Sequence, residues 1–519
     1  MEKLHKHKST IILGIILLLA SFLRLYKIGD YLTFLGDEGR DVLVALHMLQ
    51  GDITFLGPRA SAGDFFLGPI YYYFITPFLW LFNYDPVGPA VMVALFGIAT
   101  VYLVYKVGKE FFGTNAGLIA AALFSVSPLV LRFSRSSWNP NLMPFVSLLI
   151  LYLTYKGIKK PSWKLFGFIG ILYGIAMQLH YIELFLGVIL FLFLIVGTWI
   201  ENRQHYFQKI IQQSLLMLLG FIVSLLPFIA FEVKNGFPNI RTIFSFIFSS
   251  NAESTYLNDG SFMTTAFDVF VRVFGNLLTR FPSFLEREQY PTLLIDFWTL
   301  GIVLTALFSI FILFKTKDRL VVLFFSLWLF FGIVLFGFYK KEIYDYYFAF
   351  MFPLPFLLVG NLLSRPFNYK KMIPLKLLSG TLFLVIFVYS LLGMPFLKEP
   401  NRMKEQARTI ADFVLDKTND EPFNFALLAD SNSDHAYRYF FEIKNRAPIT
   451  IENDENDPSR TTVTDQLFVV CENPPCKPLG HPIYEIAGYG QAKIVEEWDV
   501  SVVKVYKLEK IKRDDSTEQ

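Results

Sequence analysis

The stretch Gly36-Asp37-Glu38-Gly39-Arg40 follows closely on the apolar run Thr10–Tyr26. A run of this kind crosses a bilayer as a helix, so the two acids and the arginine stand in the first loop beyond a membrane span. Lysines precede the run, as in a secretory signal, but no small-residue cleavage site follows it. We therefore expect an uncleaved first span, with the rest of the chain organised around this charged loop.

The composition is that of a membrane protein. Hydrophobic residues make up 54% of the 519 residues, aromatic residues 17% and charged residues 18%, whereas soluble domains carry about 25% charged residues. The net charge of +3 says little about partners, because the topology distributes the charges, and no nucleic-acid partner is predicted. Two cysteines are too few for a disulfide framework or a cysteine metal site.

Apolar runs that could cross a bilayer recur along the first three quarters of the chain. They predict an α-helical polytopic membrane protein with about eleven transmembrane helices. The runs are Thr10–Tyr26, Gly88–Lys106, Ala116–Leu131, Met143–Leu153, Leu165–Leu179, Ile182–Ile200, Ile211–Phe231, Leu293–Phe314, Leu320–Phe338, Phe348–Leu363 and Leu377–Phe396.

Basic residues give the orientation. If the N-terminus is cytoplasmic, every inside loop is basic, as the positive-inside rule requires. These loops contain Lys106 and Lys109; Lys156, Lys159, Lys160 and Lys164; Arg203 and Lys209; Lys315, Lys317 and Arg319; and Arg365, Lys370, Lys371 and Lys376. An odd number of spans then places the C-terminal tail outside. We therefore expect a multi-pass protein of the cell membrane whose polar outer loops carry the chemistry.

Two domains are predicted. Residues 1–396 form the transmembrane domain, and its first outer loop, 27–87, contains two interfacial helices, Glu38–Gln50 and Phe65–Phe82. Residues 397–519 have the composition of a soluble domain and form a small extracytoplasmic α/β domain. Its predicted helices are Arg402–Asp416 and Ser433–Phe441, and its predicted strands are Phe423–Leu428, Thr462–Val470 and Val500–Lys507. Cys471 and Cys476 are candidates for pairing on the oxidising side.

The acidic pair has two interpretations. Asp is a good helix N-cap and Glu in a first turn suits the helix dipole, so Asp37 and Glu38 could serve only to start a helix. Charged groups at a membrane boundary are costly unless they are used or paired, which favours a functional role. A carboxylate can take the proton of an acceptor hydroxyl as it attacks a sugar. Arg40, one helical turn beyond Asp37, can stabilise a phosphate leaving group.

Other polar residues on the outer side are candidates for the same site. Each also has a simpler interpretation, as a lipid-headgroup anchor, a solvated charge or a satisfied interfacial residue. The candidate phosphate-binding cations are Arg40, Arg59, Arg132, Arg135 and Lys340, and the candidate substrate-binding residues are Asp64, Tyr72, Asn139, His180, Tyr181, Asp345 and Tyr346. What unites them is that all fall on one side of the membrane.

The chain resembles the GT-C polytopic glycosyltransferases that use polyprenyl-phosphate sugars, in particular the protein O-mannosyltransferase and lipid A aminoarabinose transferase branch. The resemblance covers residues 1–396. It rests on four motifs: Asp37-Glu38-Gly39-Arg40, Gly68-Pro69-Ile70-Tyr71-Tyr72, the segment from Ser125-Val126-Ser127-Pro128 to Arg135, and Asp345-Tyr346-Tyr347 with Pro353.

The resemblance implies that Asp37 is the catalytic base, with Glu38 beside it, and that Arg40 contacts the donor phosphate. Leu67-Gly68-Pro69 stands where the family often has a phosphate-binding lysine. This difference argues against aminoarabinose transfer and against a zinc site. Arg59, Arg132, Arg135 or Lys340 would then replace the lost cation. The α/β tail is not part of the mannosyltransferase pattern and could bind an acceptor.

The sequence therefore predicts an inverting hexosyl- or pentosyltransferase. It would move a sugar from an undecaprenyl- or dolichyl-phosphate carrier to a hydroxyl of a protein, lipid or glycan acceptor. A lipid-linked sugar flippase is the alternative, but flippases usually have intramembrane charges and repeated halves, which we do not find. A non-catalytic scaffold would leave the acidic pair without a purpose. No cofactor or metal is predicted; a divalent cation is compatible with the sequence, but no motif indicates one.

Overall fold

The computed structural model describes residues 2–60, 65–248, 261–282, 284–339, 341–369, 371–430 and 432–511. In this part of the chain the helices are α1 (Glu2–Leu25), α2 (Gly36–Leu49), α3 (Ile70–Leu81), α4 (Val87–Phe112), α5 (Thr114–Val126), α6 (Pro128–Phe133), α7 (Met143–Lys159), α8 (Trp163–Leu179), α9 (Leu184–Glu201), α10 (Tyr206–Ser224), α11 (Leu226–Lys234), α12 (Pro238–Phe248), α13 (Phe262–Thr279), α14 (Phe284–Arg287), α15 (Thr292–Leu313), α16 (Arg319–Val334), α17 (Pro353–Ser364), α18 (Ile373–Leu391), α19 (Met403–Lys417), α20 (His435–Glu442) and α21 (Tyr484–Ala487). The strands are β1 (Asn424–Leu428), β2 (Gln466–Cys471), β3 (Ala492–Val500) and β4 (Val503–Lys510).

The α-helical polytopic membrane fold is confirmed. Eight of the described helices are long and apolar enough to cross a membrane, and the bent pair Asp345–Met351 and Pro353–Asn368 makes a ninth if it is one span. The predicted spans Ala116–Leu131 and Leu165–Leu179 correspond to shorter apolar helices, Thr114–Val126 and Trp163–Leu179. Among the described residues, eight or nine helices thus have the length and composition of a full span, and each of the eleven predicted runs is largely helical.

Two compact units make up the chain. The first comprises Met1–Ile28, Ile53–Phe74 and Ala90–Glu399, and it contains most of the apolar helices. The second comprises Gly29–Asp52, Ile75–Pro89 and Pro400–Gln519. Because Gly29–Asp52 includes α2, the acidic pair belongs to the same unit as the C-terminal α/β segment.

A four-stranded sheet is the centre of the second unit, with strand order β1-β2-β4-β3. β1 and β2 are parallel, and the other two pairs are antiparallel. Parallel neighbours need a crossover connection, which includes α20. The strands Phe423–Leu428, Thr462–Val470 and Val500–Lys507 were predicted close to β1, β2 and β4, whereas β3 was not predicted. Cys471, at the end of β2, is disulfide-bonded to Cys476.

α2 begins and ends for local reasons. Asp37 and Glu38 lie in its first turn, where carboxylates complement the helix dipole. Val42 and Leu46, one turn apart, are buried on one face. The helix stops before Gly51, whose φ of +106° is in the region that favours glycine. The predicted helix Glu38–Gln50 matches these bounds closely. The second predicted interfacial helix, Phe65–Phe82, corresponds to α3. Residues 65–69 are not helical, so α3 starts five residues later than predicted, at Ile70.

Candidate functional site

Asp37 is the accessible carboxylate at the start of α2. Its side chain is 54% exposed, and its Oδ1 accepts a hydrogen bond of 2.8 Å from Arg40 Nη1. The Arg40 side chain is 26% exposed. A carboxylate that solvent reaches and a guanidinium one helical turn away can serve together as a proton acceptor and a cation for a negatively charged ligand.

Both carboxylate oxygens of Glu38 accept hydrogen bonds from residues that directly precede α2. Its Oε2 accepts from the backbone N–H of Leu35 at 3.3 Å, and its Oε1 accepts from the Thr33 hydroxyl at 3.1 Å. A glutamate that reaches back to the N-cap backbone N–H forms one half of a capping box. The two members of the acidic pair therefore have different surroundings: Asp37 faces outward, and Glu38 closes the first turn of α2.

Asp41 forms a buried ion pair with Arg40. Its Oδ1 accepts from Arg40 Nε at 3.0 Å and from Nη2 at 2.7 Å, and the side chain is fully buried. Its Oδ2 has no hydrogen-bond partner among the described residues. Burial raises the pKa of the Asp41 carboxyl to about 7, against the opposing effect of Arg40. Arg40 thus lies between an exposed carboxylate and a buried one, which fixes its guanidinium beside Asp37.

The buried Asp41 carboxyl should make the protein less stable as the pH rises. An aspartate in an unfolded chain has a pKa of about 3.9. Between that value and about 7 the unfolded chain loses a proton that the folded protein keeps, so this group lowers the stability by up to about 1.4 kcal/mol per pH unit. Asp41→Asn removes this dependence. We expect the melting temperature of Asp41→Asn, relative to wild type, to increase from about pH 4 to about pH 7.

Thermal unfolding of the purified proteins in detergent would measure this difference. Asp52→Asn, which removes an exposed carboxylate beyond the other end of α2, is the control. A difference between Asp41→Asn and wild type that does not change with pH would contradict the raised pKa of Asp41.

The C-terminal segment packs directly on α2 within the second unit. The Gly36 N–H donates to Asn432 Oδ1 at 2.9 Å, which supplies a partner for one of the unpaired N–H groups at the helix start. At Gly39 an added Cβ would lie 2.4 Å from the backbone nitrogen of Ala436. Near the other end of α2, His47 Nε2 lies 2.7 Å from Glu442 Oε2. The two glycines that flank the acidic pair thus allow close backbone packing.

Three predicted substrate-binding residues come together in the first unit. The ring of Tyr346 lies 4.3 Å from that of Trp138 and 5.7 Å from that of His180. His180 stacks on Tyr181 at 4.6 Å, and the Tyr181 hydroxyl lies 2.8 Å from that of Tyr339. Residues far apart in sequence therefore form one aromatic cluster that carries hydroxyl groups, a combination suited to binding groups that have both apolar and polar faces.

Asp345, another predicted substrate-binding residue, forms an ion pair in the first unit with Arg272, which was not among the predicted site residues. Its Oδ1 accepts from Arg272 Nη2 at 2.6 Å and Nε at 3.0 Å, and Asn276 Nδ2 lies 3.2 Å from Oδ2. Arg272 and Asn276 are one turn apart on α13. One sequence signal could have drawn attention to Arg272: Asp268 and Arg272 are four residues apart, the spacing of an ion pair on one face of a helix.

The predicted phosphate-binding arginines differ in exposure. Arg59 and Arg132 are exposed in the first unit. Arg135 is 4% exposed and donates to the backbone carbonyls of Leu23 at 2.6 Å and Tyr26 at 2.8 Å. Carbonyls at the end of a helix have no intrahelical partner, so Arg135 satisfies those at the end of α1.

The remaining predicted residues are buried or lie outside the described chain. Tyr72 is buried, and the buried Asn139 amide donates to the Leu179 carbonyl. Asp64 and Lys340 lie outside the described residues. Within the described ranges, no group of three or more His, Cys, Asp or Glu side chains could hold a metal ion.

Comparisons with known proteins agree with this architecture. Residues 67–230 match the family model described as dolichyl-phosphate-mannose-protein mannosyltransferase. Two putative mannosyltransferases of Bacillus subtilis are similar in sequence. YkcB is 27% identical over 203 residues, which are 38% of this chain and 28% of YkcB. YycA is 25% identical over 159 residues, which are 30% of this chain and 23% of YycA. The chain thus aligns with less than a third of the length of either relative.

Solved structures share the fold over nearly the whole chain. ArnT from Cupriavidus metallidurans, bound to undecaprenyl phosphate, superposes with a TM-score of 0.64 at 15% identity, over 96% of this chain and 97% of ArnT. The oligosaccharyltransferase AglB from Archaeoglobus fulgidus, in complex with an inhibitory peptide and a dolichol-phosphate, gives a TM-score of 0.52 at 12% identity, over 90% and 70% of the two chains. Taken together, the family match, the Bacillus relatives and this shared fold support a membrane glycosyltransferase of the GT-C superfamily.

Proposed function

We propose that the protein is an inverting glycosyltransferase that moves a sugar from a polyprenyl-phosphate carrier to an acceptor hydroxyl on the outer face of the cell membrane. The observation that carries the proposal is the exposure of Asp37 beside Arg40, while Glu38 and Asp41 are buried. One carboxylate of the three is thus available to a substrate, and a cation adjoins it.

In the proposed reaction Asp37 accepts the proton of the acceptor hydroxyl as its oxygen attacks the anomeric carbon. A new C–O bond forms on the face opposite the carrier, which inverts the configuration. The bond between the anomeric carbon and the carrier phosphate breaks, and its electron pair leaves with the phosphate. Arg40 stabilises the charge that develops there, because guanidinium groups bind phosphate strongly. Protons and charges balance without a cofactor.

Glu38 has a supporting role in this proposal, since its two oxygens serve the start of α2. Arg59 and Arg132, which are exposed, are proposed donor-phosphate or headgroup contacts. The aromatic cluster of His180, Tyr181 and Tyr346 is proposed to bind substrate. Arg135 is already engaged with backbone carbonyls, so we assign it a structural role.

The carrier class and the orientation have independent support. Undecaprenyl phosphate and dolichol-phosphate are bound in the two structures of the same fold. The basic loops favour a cytoplasmic N-terminus. The disulfide between Cys471 and Cys476 is typical of an oxidising compartment, which favours an extracytoplasmic C-terminal segment.

Sugar release from a defined donor tests the proposal. The full-length protein, purified in detergent, would be incubated with radiolabelled polyprenyl-phosphate mannose and then with other polyprenyl-phosphate sugars. We expect wild type to release or transfer the sugar with inversion at the anomeric carbon. If no donor in the panel is consumed, the reaction class is wrong. Movement of intact donor across vesicle membranes without cleavage would instead identify a flippase.

A further inference from the structure

The second unit has a pocket beyond the carboxyl ends of the two parallel strands of its sheet, β1 and β2. After β1 the chain contributes Asn432 and Tyr437 to the pocket wall, and after β2 it contributes Glu472 and Asn473. In open α/β sheets, ligands bind in the crevice beyond the carboxyl ends of the parallel strands. The pocket lies at the carboxyl ends of β1 and β2, the one parallel pair in the described sheet.

The opposite wall of the pocket is apolar and reaches the helix that carries Asp37. Phe34 and Leu35 precede α2 directly and line the pocket, so the wall ends two residues before Asp37. α19 adds Met403, Ala407 and Ile410 to this wall, together with the neutral amide side chain of Gln406. All these residues belong to the second unit. A molecule in the pocket would therefore lie next to the start of α2.

The charge of the lining favours a neutral ligand. Glu472 is the one charged residue among the described residues that line the pocket. Its Oε1 accepts from Asn432 Nδ2 at 2.8 Å and from the Tyr437 hydroxyl at 2.7 Å. The lining also includes the amide side chain of Asn473. A carboxylate and amides offer partners to hydroxyl groups, whereas a phosphate would meet a negative charge and no cation.

The size of the pocket favours a single ring. It encloses about 200 Å³, which is less than the roughly 300–1,000 Å³ of sites for drug-sized ligands. A sugar ring has a C–H face and a rim of hydroxyls, which correspond to the apolar wall and to the wall that contains Glu472.

We propose that this pocket binds a neutral sugar ring of the acceptor, so that the acceptor is a glycan. This inference rests on the proposed function and deepens it, because it selects among protein, lipid and glycan acceptors. The ring packs its C–H face on Leu35 and Met403, which are partly exposed in the lining, and its hydroxyls donate to Glu472. A free hydroxyl of the same glycan is the nucleophile that gives its proton to Asp37.

Binding of neutral methyl glycosides to the full-length protein in detergent tests the pocket. Saturation-transfer nuclear magnetic resonance would be recorded with methyl mannoside, methyl glucoside and methyl N-acetylglucosaminide, without any donor. We expect at least one of them to bind, and Glu472→Gln and Ala407→Phe each to weaken that binding by about tenfold or more. Glu472→Gln removes the charge at nearly constant shape, and Ala407→Phe fills the pocket.

Glu497→Gln is the matched control, because it neutralises an exposed carboxylate on β3 outside the pocket lining. The pocket assignment is overturned if no glycoside binds, if both pocket variants bind as wild type does, or if a serine-containing peptide binds where the glycosides do not. In turnover, Glu472→Gln should raise the KM for the bound glycoside about tenfold, whereas Glu497→Gln should leave that KM unchanged. Glycoside binding without any donor consumption by wild type would refute the proposed function and leave the pocket as a sugar site.

Discussion

Asp37→Asn is expected to lower sugar transfer by about 100-fold or more, because asparagine cannot accept the proton of the acceptor hydroxyl. Donor binding should persist, since Arg40 and the shape of the side chain remain. The substitution also breaks the ion pair with Arg40, but that pair is partly exposed and one turn apart on a helix. Such pairs contribute about 0.3–0.5 kcal/mol. Loss of folding therefore cannot explain a 100-fold effect.

The measurement is the rate of sugar release from labelled donor by wild type and Asp37→Asn, together with the donor affinity of both. Glu38→Gln is an informative companion, since it should weaken the start of α2 by about 1 kcal/mol or less without removing the proposed base. Equal turnover by wild type and Asp37→Asn would mean that Asp37 only starts a helix, and the assignment of the base would fail.

Gly39→Ala is expected to cost both stability and activity. An added Cβ would lie 2.4 Å from the nitrogen and 2.7 Å from the Cα of Ala436. Because these are backbone atoms, α2 and the start of α20 would have to separate. Overpacking of this kind typically costs about 1–3 kcal/mol. The higher helix propensity of alanine would return at most about 1 kcal/mol. The overpacking cost therefore outweighs the gain in helix propensity, and Gly39→Ala is expected to be destabilising. The movement of α2 that relieves the contact would also displace Asp37, two residues away.

We expect Gly39→Ala to lower the melting temperature and to reduce turnover about tenfold or more, in line with the sensitivity of catalysis to small misplacements. Gly380→Ala is the matched control, because an added Cβ there, in α18, meets no atom within 4 Å. It should leave both quantities nearly unchanged. If Gly39→Ala behaves like Gly380→Ala, the close packing of α2 on α20 is not as described.

Local patterns in the sequence predicted the local structure well. Apolar runs located the membrane helices, and the spacing of Val42 and Leu46 located α2, because each signal depends on residues within a few turns. β3 escaped prediction because most of its residues are exposed, and charged side chains such as Glu496 and Glu497 make it look like a polar loop.

Relations between distant residues could not be predicted in the same way. Asp37 and Glu38 are adjacent acidic residues, and their order in the sequence does not predict which of them is exposed and which closes the first turn of α2. The same holds for Asp41, which looks like an ordinary polar residue of an interfacial helix. The pairing of Arg272 with Asp345 is likewise known only from their contact in the structure. Periodicity carries no information about such contacts.

The hydrogen bond between Gly36 and Asn432 has a consequence for synthesis of the protein. Its two residues are 396 positions apart, so the loop with Asp37 leaves the ribosome long before the segment that packs on it. At about 5–20 residues per second, that interval is on the order of 20–80 s. During this time the nascent chain would hold an incomplete second unit. A chain that is released early would insert its first spans and still lack the residues that pack on the start of α2.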